Sequence, residues 1–338
     1  MEEQLNLFDY IREPIGITKP IRLIELFAGY GSQAMALKRI GADFEHCRVV
    51  EFDKYAIASY NAVHGTNFPT MDITKVHALD LAIEDTEHFT YLLTYSFPCT
   101  DLSVAGKQMG MSKGSGTRSG LLWEVERILT EIRDNNGELP QILFMENVPQ
   151  VHSQDNMPDF RKWLDFLESL GYVNYWQDLN AKNYGVAQNR ERCFMFSFLG
   201  EYNYKFPNPV PLKKKLKDYL EDNVDEKYYI NNEKAEKLIQ TLINNGTLKS
   251  VVPGAVNEVG YIDKGTGQHQ SNTIYSDNGN CPCLNAVNHK EPIKIVTEKG
   301  LCIDTSMSGL ENGAIRTYKE VAPSITAREY KEPRMILE

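Results

Sequence analysis

Hydrophobic positions in the first part of the chain fall into two rhythms that take turns. Ile21 to Phe27 is a short apolar run ending in small residues at Ala28, Gly29 and Gly31, and Gln33 to Ile40 then carries helical spacing up to a stop at Gly41. Phe44 to Glu51 reads as a second strand and Lys54 to Val63 as a second helix. Tyr91–Ser96, Ile142–Glu146, Val173–Leu179 and Cys193–Leu199 continue the strands, with helices predicted at Leu121–Arg133 and Pro158–Leu170. Strand and helix in alternation predict the α/β class: a doubly wound, Rossmann-like parallel sheet with helices on both faces.

The rhythm changes after Tyr204, where Pro207, Pro209 and Pro211 fall within five residues and mark a boundary. The expected organisation is a tail at 1–20, broken by Pro14 and Pro20, an α/β domain at 21–205 and a smaller β-rich region at 206–338. The last region is rich in Asn, Gly and Thr, with one predicted helix near Asn232–Ile243. It repeats at an offset of 41 residues: Ile274, Pro282, Ala286, Lys290, Glu291 and Pro292 recur as Ile315, Pro323, Ala327, Lys331, Glu332 and Pro333. Two related strand-turn-strand units account for that pattern.

Composition narrows the class. The 338 residues are 42% apolar and 24% charged, ordinary globular usage, so a sizeable core forms. No apolar run approaches the roughly 18 to 20 residues that span a bilayer, and the chain opens on acidic residues rather than on a basic and apolar leader. Net charge is −10, with 28 acidic against 19 basic residues up to Lys205 and 18 against 17 afterwards. A polyanionic partner would have to be met by local basic loops or by the C-terminal part. The six cysteines read as reduced thiols, and Cys281-x-Cys283 lacks the second ligand pair that a closed zinc site needs, so no metal is expected.

Several polar clusters follow the predicted strands. Gly29, Gly31 and Ala34 match G-x-G-x-x-A, and Glu51 stands about 20 residues beyond the turn. Backbone amides and a helix N-terminus then face a ligand whose ribose hydroxyls the carboxylate accepts. An adenosine-containing cofactor follows, with nicotinamide enzymes and S-adenosylmethionine enzymes both open. Ser96-Phe97-Pro98-Cys99 places a cysteine just past a buried strand, at the carboxyl edge where open α/β sheets bind ligands. Pro98 stiffens that loop, and partial exposure favours a reactive thiolate. Glu146-Asn147-Val148 puts Glu146 at the same edge, where a carboxylate needs a partner or a proton. Gln188-x-Arg190-x-Arg192 precedes the last strand, and alternation sends all three side chains to one face.

Taken in order, Ile24-Glu25-Leu26-Phe27-Ala28-Gly29-Tyr30-Gly31, Glu51-Phe52-Asp53, Asp72-Ile73, Phe97-Pro98-Cys99, Glu146-Asn147-Val148 and Gln188-Asn189-Arg190-Glu191-Arg192 resemble the motif series of DNA (cytosine-5)-methyltransferases. The resemblance covers about residues 21–199. It implies the S-adenosylmethionine-dependent methyltransferase fold with a smaller β-rich target-recognition domain. It also implies methyl transfer to carbon 5 of a cytosine rotated out of double-stranded DNA. Cys99 would attack carbon 6, Glu146 would contact ring nitrogen 3 and the exocyclic amine, Arg192 would hold the carbonyl at position 2, and Arg190 would anchor the loop or the backbone. Phe27, Ala28 and the Gly29–Gly31 turn would serve the methionine and adenosine portions of the cofactor, with Pro98 beside it. Glu51 would take the ribose hydroxyls, Phe52 the adenine face and Asp72 the adenine amine. Lys107, Lys113 and Arg118, set among five glycines, would form a mobile basic loop over the DNA strand.

Family members usually run on to a C-terminal segment of Gly-Asn-Ser type that completes the cofactor pocket. No such segment is found here, so a second polypeptide supplying it, or a truncated product, is expected, and the alternative reading is a non-catalytic or partner-dependent DNA-binding subunit of a split methyltransferase. Gln4-Leu5-Asn6-Leu7-Phe8 is similar to the short peptides by which bacterial DNA enzymes dock on the replication sliding clamp, with Gln4, Leu7 and Phe8 as anchors. The resemblance also implies a restriction-modification or phage enzyme in the cytoplasm of its cell.

Overall fold

The computed structural model describes residues 13–14, 16–102, 109–220, 256–261, 273–276, 278–283, 293–296 and 302–304. They fall in two compact units, one of Met1–Leu179 and Glu191–Pro207, the other of Asn180–Arg190 and Asn208–Glu338. The strands of the first unit are β1 (Glu13–Pro14), β2 (Ile21–Leu26), β3 (Phe44–Val50), β4 (Thr90–Tyr95), β5 (Ile142–Asn147), β6 (Tyr172–Asn180), β7 (Glu191–Leu199) and β8 (Tyr202–Asn203). Its helices are α1 (Ser32–Arg39), α2 (Lys54–His64), α3 (Leu122–Asp134) and α4 (Met157–Ser169). Six strands form one sheet in the order β3-β2-β4-β5-β7-β6, and β1 pairs with β8 as a separate ribbon.

Local sequence explains these elements. Every residue of β4, Thr-Tyr-Leu-Leu-Thr-Tyr, is buried, as expected of a central strand covered on both faces. Helix α3 buries Leu122, Trp123, Val125, Ile128, Leu129 and Ile132, a stripe at three- and four-residue spacing. Asp53 caps α2 by accepting from Tyr55 N at 2.8 Å and Ala56 N at 3.2 Å, and left-handed Gly65 ends that helix. The strands β3, β2, β4 and β5 are parallel as expected, but β7 runs antiparallel to β5. Between β6 and β7 there is only Ala181–Arg190, too little chain for the helical crossover that a parallel return requires.

The second unit contains β9 (Glu258–Tyr261), β10 (Thr273–Ser276), β11 (Lys294–Val296) and β12 (Cys302–Asp304), in the order β12-β11-β10-β9. Leu216, Tyr275, Ile293 and Ile295 make its buried cluster. The segment Asn180–Arg190 belongs here because Cys281 N donates to Ala187 O at 2.9 Å and Asn189 N to Cys281 O at 2.8 Å. Ile274, in the first repeat copy, lies on β10 and is fully buried. The second copy, the helix predicted near Asn232–Ile243, Lys107, and the tail residues Gln4, Leu7 and Phe8 lie outside the described residues. Among the described residues no helix is long and apolar enough to cross a membrane.

Candidate active site

The chain leaves β2 through a turn whose shape resides in its backbone. Phe27 (φ 58°), Gly29 (φ 58°) and Gly31 (φ 84°) are all left-handed. Phe27 is the unusual member, since a bulky residue there holds local strain of a kind that gathers at functional sites. At Gly31, which precedes α1, a Cβ would lie 2.3 Å from His64 Nε2 and 2.6 Å from Tyr60 Cε2, so only glycine fits. The Glu51 carboxylate braces the turn from β3: Gly29 N donates to its Oε2 and Asp53 N to its Oε1, both at 2.9 Å. Burial pushes this carboxyl up, and the two amides pull against that shift. Each oxygen keeps a further acceptor site for a ligand hydroxyl.

Beside Glu51 stands Phe52, 75% exposed, an aromatic side chain largely open to solvent. Met71 N donates to Glu51 O at 2.8 Å and so brings Met71–Asp72 alongside. The exposed Asp72 carboxyl is held below its ordinary range, first by the Thr74 hydroxyl and then by the Thr74 amide. Strained turn, braced carboxylate, open aromatic face and ionised acceptor are together a fit for an adenosine cofactor.

Beneath the turn, Glu25 on β2 is fully buried. The Tyr60 hydroxyl donates to its Oε2 at 2.5 Å, and His46 Nδ1 lies 2.6 Å from that hydroxyl. Oε1 makes no hydrogen bond, although the Ala34 amide in the first turn of α1 draws on the same charge. Burial, opposed by these groups, pushes the carboxyl up to about 7 from its usual 4.5. Between those values the folded chain holds a proton that the unfolded chain has released. Stability therefore falls as pH rises through that window, by about 3 kcal/mol in all.

The Cys99 side of the sheet is fastened differently. After β4 the chain passes through Phe97, which is buried, and Phe97 O accepts from Asn147 Nδ2 at 3.0 Å. Pro98 O accepts from Ser119 Oγ at 2.7 Å, and Cys99 O from Leu102 N at 3.1 Å. The cysteine loop is thus tied to the end of β5 and to the residues preceding α3, with Cys99 itself half-buried. Asp101 clasps the far side: its Oδ2 accepts from Arg118 N at 2.8 Å and its carbonyl from Gly110 N at 3.1 Å. Register in the β5–β7 pair sets Glu146 opposite Phe194, so Arg192 is the diagonal neighbour of Glu146. Arg192 Nε lies 3.1 Å from Glu146 Oε1, with both side chains more buried than exposed.

Several expectations change. Gln188, Arg190 and Arg192 do not share a strand face. Gln188 N bonds Val186 O at 2.7 Å in a tight turn, β7 begins only at Glu191, and Arg190 directs Nη1 at Cys283 Sγ (3.7 Å) within the second unit. Lys113 is committed to Glu126 Oε2 at 2.6 Å, and the surrounding stretch is pinned by Trp123 Nε1 on Met111 O and Ser112 Oγ on Asp159 Oδ2, both at 2.6 Å. Arg118 is exposed. The described part of the basic loop is held to α3 and α4 by these bonds. Among the other cysteines, Cys193 is fully buried and its thiol is pushed far up, chiefly by burial and then by Asp178. Burial likewise raises Cys47. Neither suits a nucleophile, which must be a thiolate. Sequence reasoning passed over Asn147, Ser119, Asp101 and Glu25. Asn147 and Glu25 carried a signal, as the middle residue of Glu-Asn-Val and as a member of the Ile24–Gly31 motif, but no role was read for either.

The six-stranded sheet with its antiparallel β7, together with this turn and carboxylate, fits a methyltransferase fold. Solved structures that share it are the Dnmt2 methyltransferase of S. pombe (TM-score 0.50, 21% identity, 70% of this chain and 68% of that one) and the methyltransferase EhMeth of Entamoeba histolytica (0.51, 18%, 70% and 68%). Residues 21–332 match the C-5 cytosine-specific DNA methylase family, and the chain belongs to it. Curated relatives include Type II methyltransferase M2.ScrFI of Lactococcus lactis subsp. cremoris, 33% identical over 66% of this chain and 74% of that protein. Orphan methyltransferase M.SssI of Spiroplasma monobiae is 35% identical over 64% and 68%. Type II methyltransferase M.HhaI of Haemophilus parahaemolyticus is 31% identical over 79% and 74%. The chain is accordingly an enzyme that methylates carbon 5 of cytosine in DNA with S-adenosylmethionine as donor. The nicotinamide reading of its glycine turn is set aside.

Proposed function

We propose that Cys99 is the nucleophile of this reaction and that Glu146 and Arg192 grip the cytosine ring. The supporting observation is the Arg192–Glu146 pair at 3.1 Å, on strands that end beside the loop which Asn147 ties to β5. Cytosine carbon 5 is a poor nucleophile until something adds next to it. The Cys99 thiolate would form a bond to carbon 6 of a flipped-out base, leaving carbon 5 electron-rich. Glu146 would face ring nitrogen 3 and the exocyclic amine, and Arg192 the carbonyl at position 2, so that developing charge meets partners already in place. The bound donor supplies an electrophilic methyl on a sulfonium. Loss of the carbon-5 proton to a base then expels Cys99 and restores the aromatic ring. Phe27, Ala28, the Gly29–Gly31 turn, Glu51, Phe52, Asp72 and Pro98 would hold the donor. Arg190 would help anchor the loop or the backbone, and Lys107, Lys113 and Arg118 would meet phosphate.

The decisive experiment is trapping on DNA that carries 5-fluorocytosine, where the carbon-5 substituent cannot leave as a proton. A covalent adduct with the full chain, lost in Cys99→Ser, is expected; an adduct that survives that substitution refutes the assignment. Bisulfite sequencing after expression reads the target, which the β-rich second unit would select. Type II relatives support a restriction-modification setting in a bacterial or phage-infected cytoplasm. Two partner readings remain proposals: a second polypeptide completing the cofactor pocket, and docking of Gln4, Leu7 and Phe8 on a sliding clamp. Robust turnover by the purified chain argues against the first. Clamp binding that persists in Leu7→Ala with Phe8→Ala argues against the second.

A further inference from the structure

The buried Glu25 carboxylate has no part in the chemistry above, yet it lies directly under the turn assigned to the donor. The groups facing it come from four elements. From α2, Tyr60 donates to it, with the His64 ring packed against Tyr60 and its Nε2 3.0 Å from Tyr30 O in the turn rather than on the carboxylate. From β3 come Val49, opposite in register, and His46, which reaches it through Tyr60. From β4 comes Thr94, and from α1 the Ala34 amide. Burial lowers both imidazoles and so favours their neutral forms, and among the described residues neither lysine nor arginine hydrogen-bonds the carboxylate. An ionised Glu25 is therefore a negative charge with no local counter-ion, in a medium that screens little. Tyr60 binds it to the turn itself: the ring whose hydroxyl donates to Glu25 is one of the groups a Gly31 Cβ would strike.

A glutamine here would fill the same volume without the burial penalty of an acid. What the carboxylate adds is charge. S-adenosylmethionine carries a sulfonium cation, whereas its product S-adenosylhomocysteine has a neutral thioether at the same sulfur. We infer that Glu25 is a positioning residue that sets the enzyme's preference for the cationic donor over the spent product. This rests on the reading of Phe27–Gly31 as the donor's turn. A cation above the turn favours the ionised carboxylate, and by linkage the ionised carboxylate favours the cation. Donor affinity then climbs with pH as Glu25 loses its proton, while product affinity stays level.

Calorimetric titration of the full chain with each ligand, from about pH 6 to about pH 8, tests this. In the wild type the ratio of product to donor dissociation constants is expected to rise by about tenfold over that range, the equivalent of one pKa unit. Glu25→Gln should flatten the ratio, keep product binding and raise the melting temperature at the upper pH. Tyr60→Phe removes a donor that favours the charged form and should move the rise to higher pH. Equal weakening of both ligands in Glu25→Gln, with a lower melting temperature, marks the residue as merely structural and overturns the inference. So does an unchanged ratio. The underlying assignment is tested apart from this, since donor affinity untouched by Glu51→Ala would show that the turn is not the donor site, whatever Glu25 does.

Discussion

The two ends of the catalytic edge are made in contrasting ways. Around Phe27–Gly31 the shape is in the backbone: three left-handed residues in a five-residue turn, braced by Glu51 and closed from below by Tyr60 and His64. Around Cys99 the shape is borrowed from neighbours: a side-chain amide from β5, a serine hydroxyl ahead of α3, and a diagonal ion pair between antiparallel strands. Damage at the first end should unfold or deform the protein. Damage at the second should leave it folded and silence the chemistry. The distinction follows from what each end loses: a permitted φ and a filled volume in one case, a single reactive or orienting group in the other.

Substitutions can break or sharpen that contrast. The largest effect is expected for Cys99→Ser, a fall in methyl transfer on the order of a thousandfold or more with donor affinity and melting temperature unchanged. Gly31→Ala should do the reverse, with the urea midpoint reporting a loss of about 3 kcal/mol, because alanine meets both a left-handed φ and the His64 and Tyr60 rings. If Gly31→Ala proves neutral in stability, the contrast fails at its cofactor end. Arg192→Lys keeps the charge but loses the Nε contact to Glu146, so single-turnover rates should drop by roughly ten- to a hundredfold at constant stability. Ser119→Ala, which frees the Pro98 carbonyl, should lower stability by only about 1 kcal/mol. Its sharper readout is slower trapping on 5-fluorocytosine DNA.

The same contrast governs what could be read from the chain without coordinates. Strands such as Thr90–Tyr95 and Ile142–Asn147 stand where their apolar runs place them, and the glycine turn was visible because its geometry demands glycine. Cys99 and Glu146 were visible as polar residues at strand ends. Their fastening was not. Asn147 reaches Phe97 fifty positions away, a contact that exists only once β4 and β5 lie side by side. Arg190 was misplaced because alternation was extended through Gln188–Arg192, where the backbone in fact makes a tight turn before β7 begins. Glu25 stood inside the Ile24–Gly31 motif, but nothing local announces that a buried tyrosine thirty-five positions on donates to it, backed by His46.

The short excursion of Asn180–Arg190 bears on how such enzymes exchange parts. The chain leaves the first unit at the end of β6, lends Ala187 and Asn189 to a pairing with Cys281, and only then returns to lay down β7 with its arginine. The second unit is thus not a detachable cassette hung on one linker. Grafting residues 208–338 alone from a relative would bring one half of that pairing without the other. Recombination that swaps this unit cleanly has to carry two separate stretches of gene at once, with β7 stranded between them.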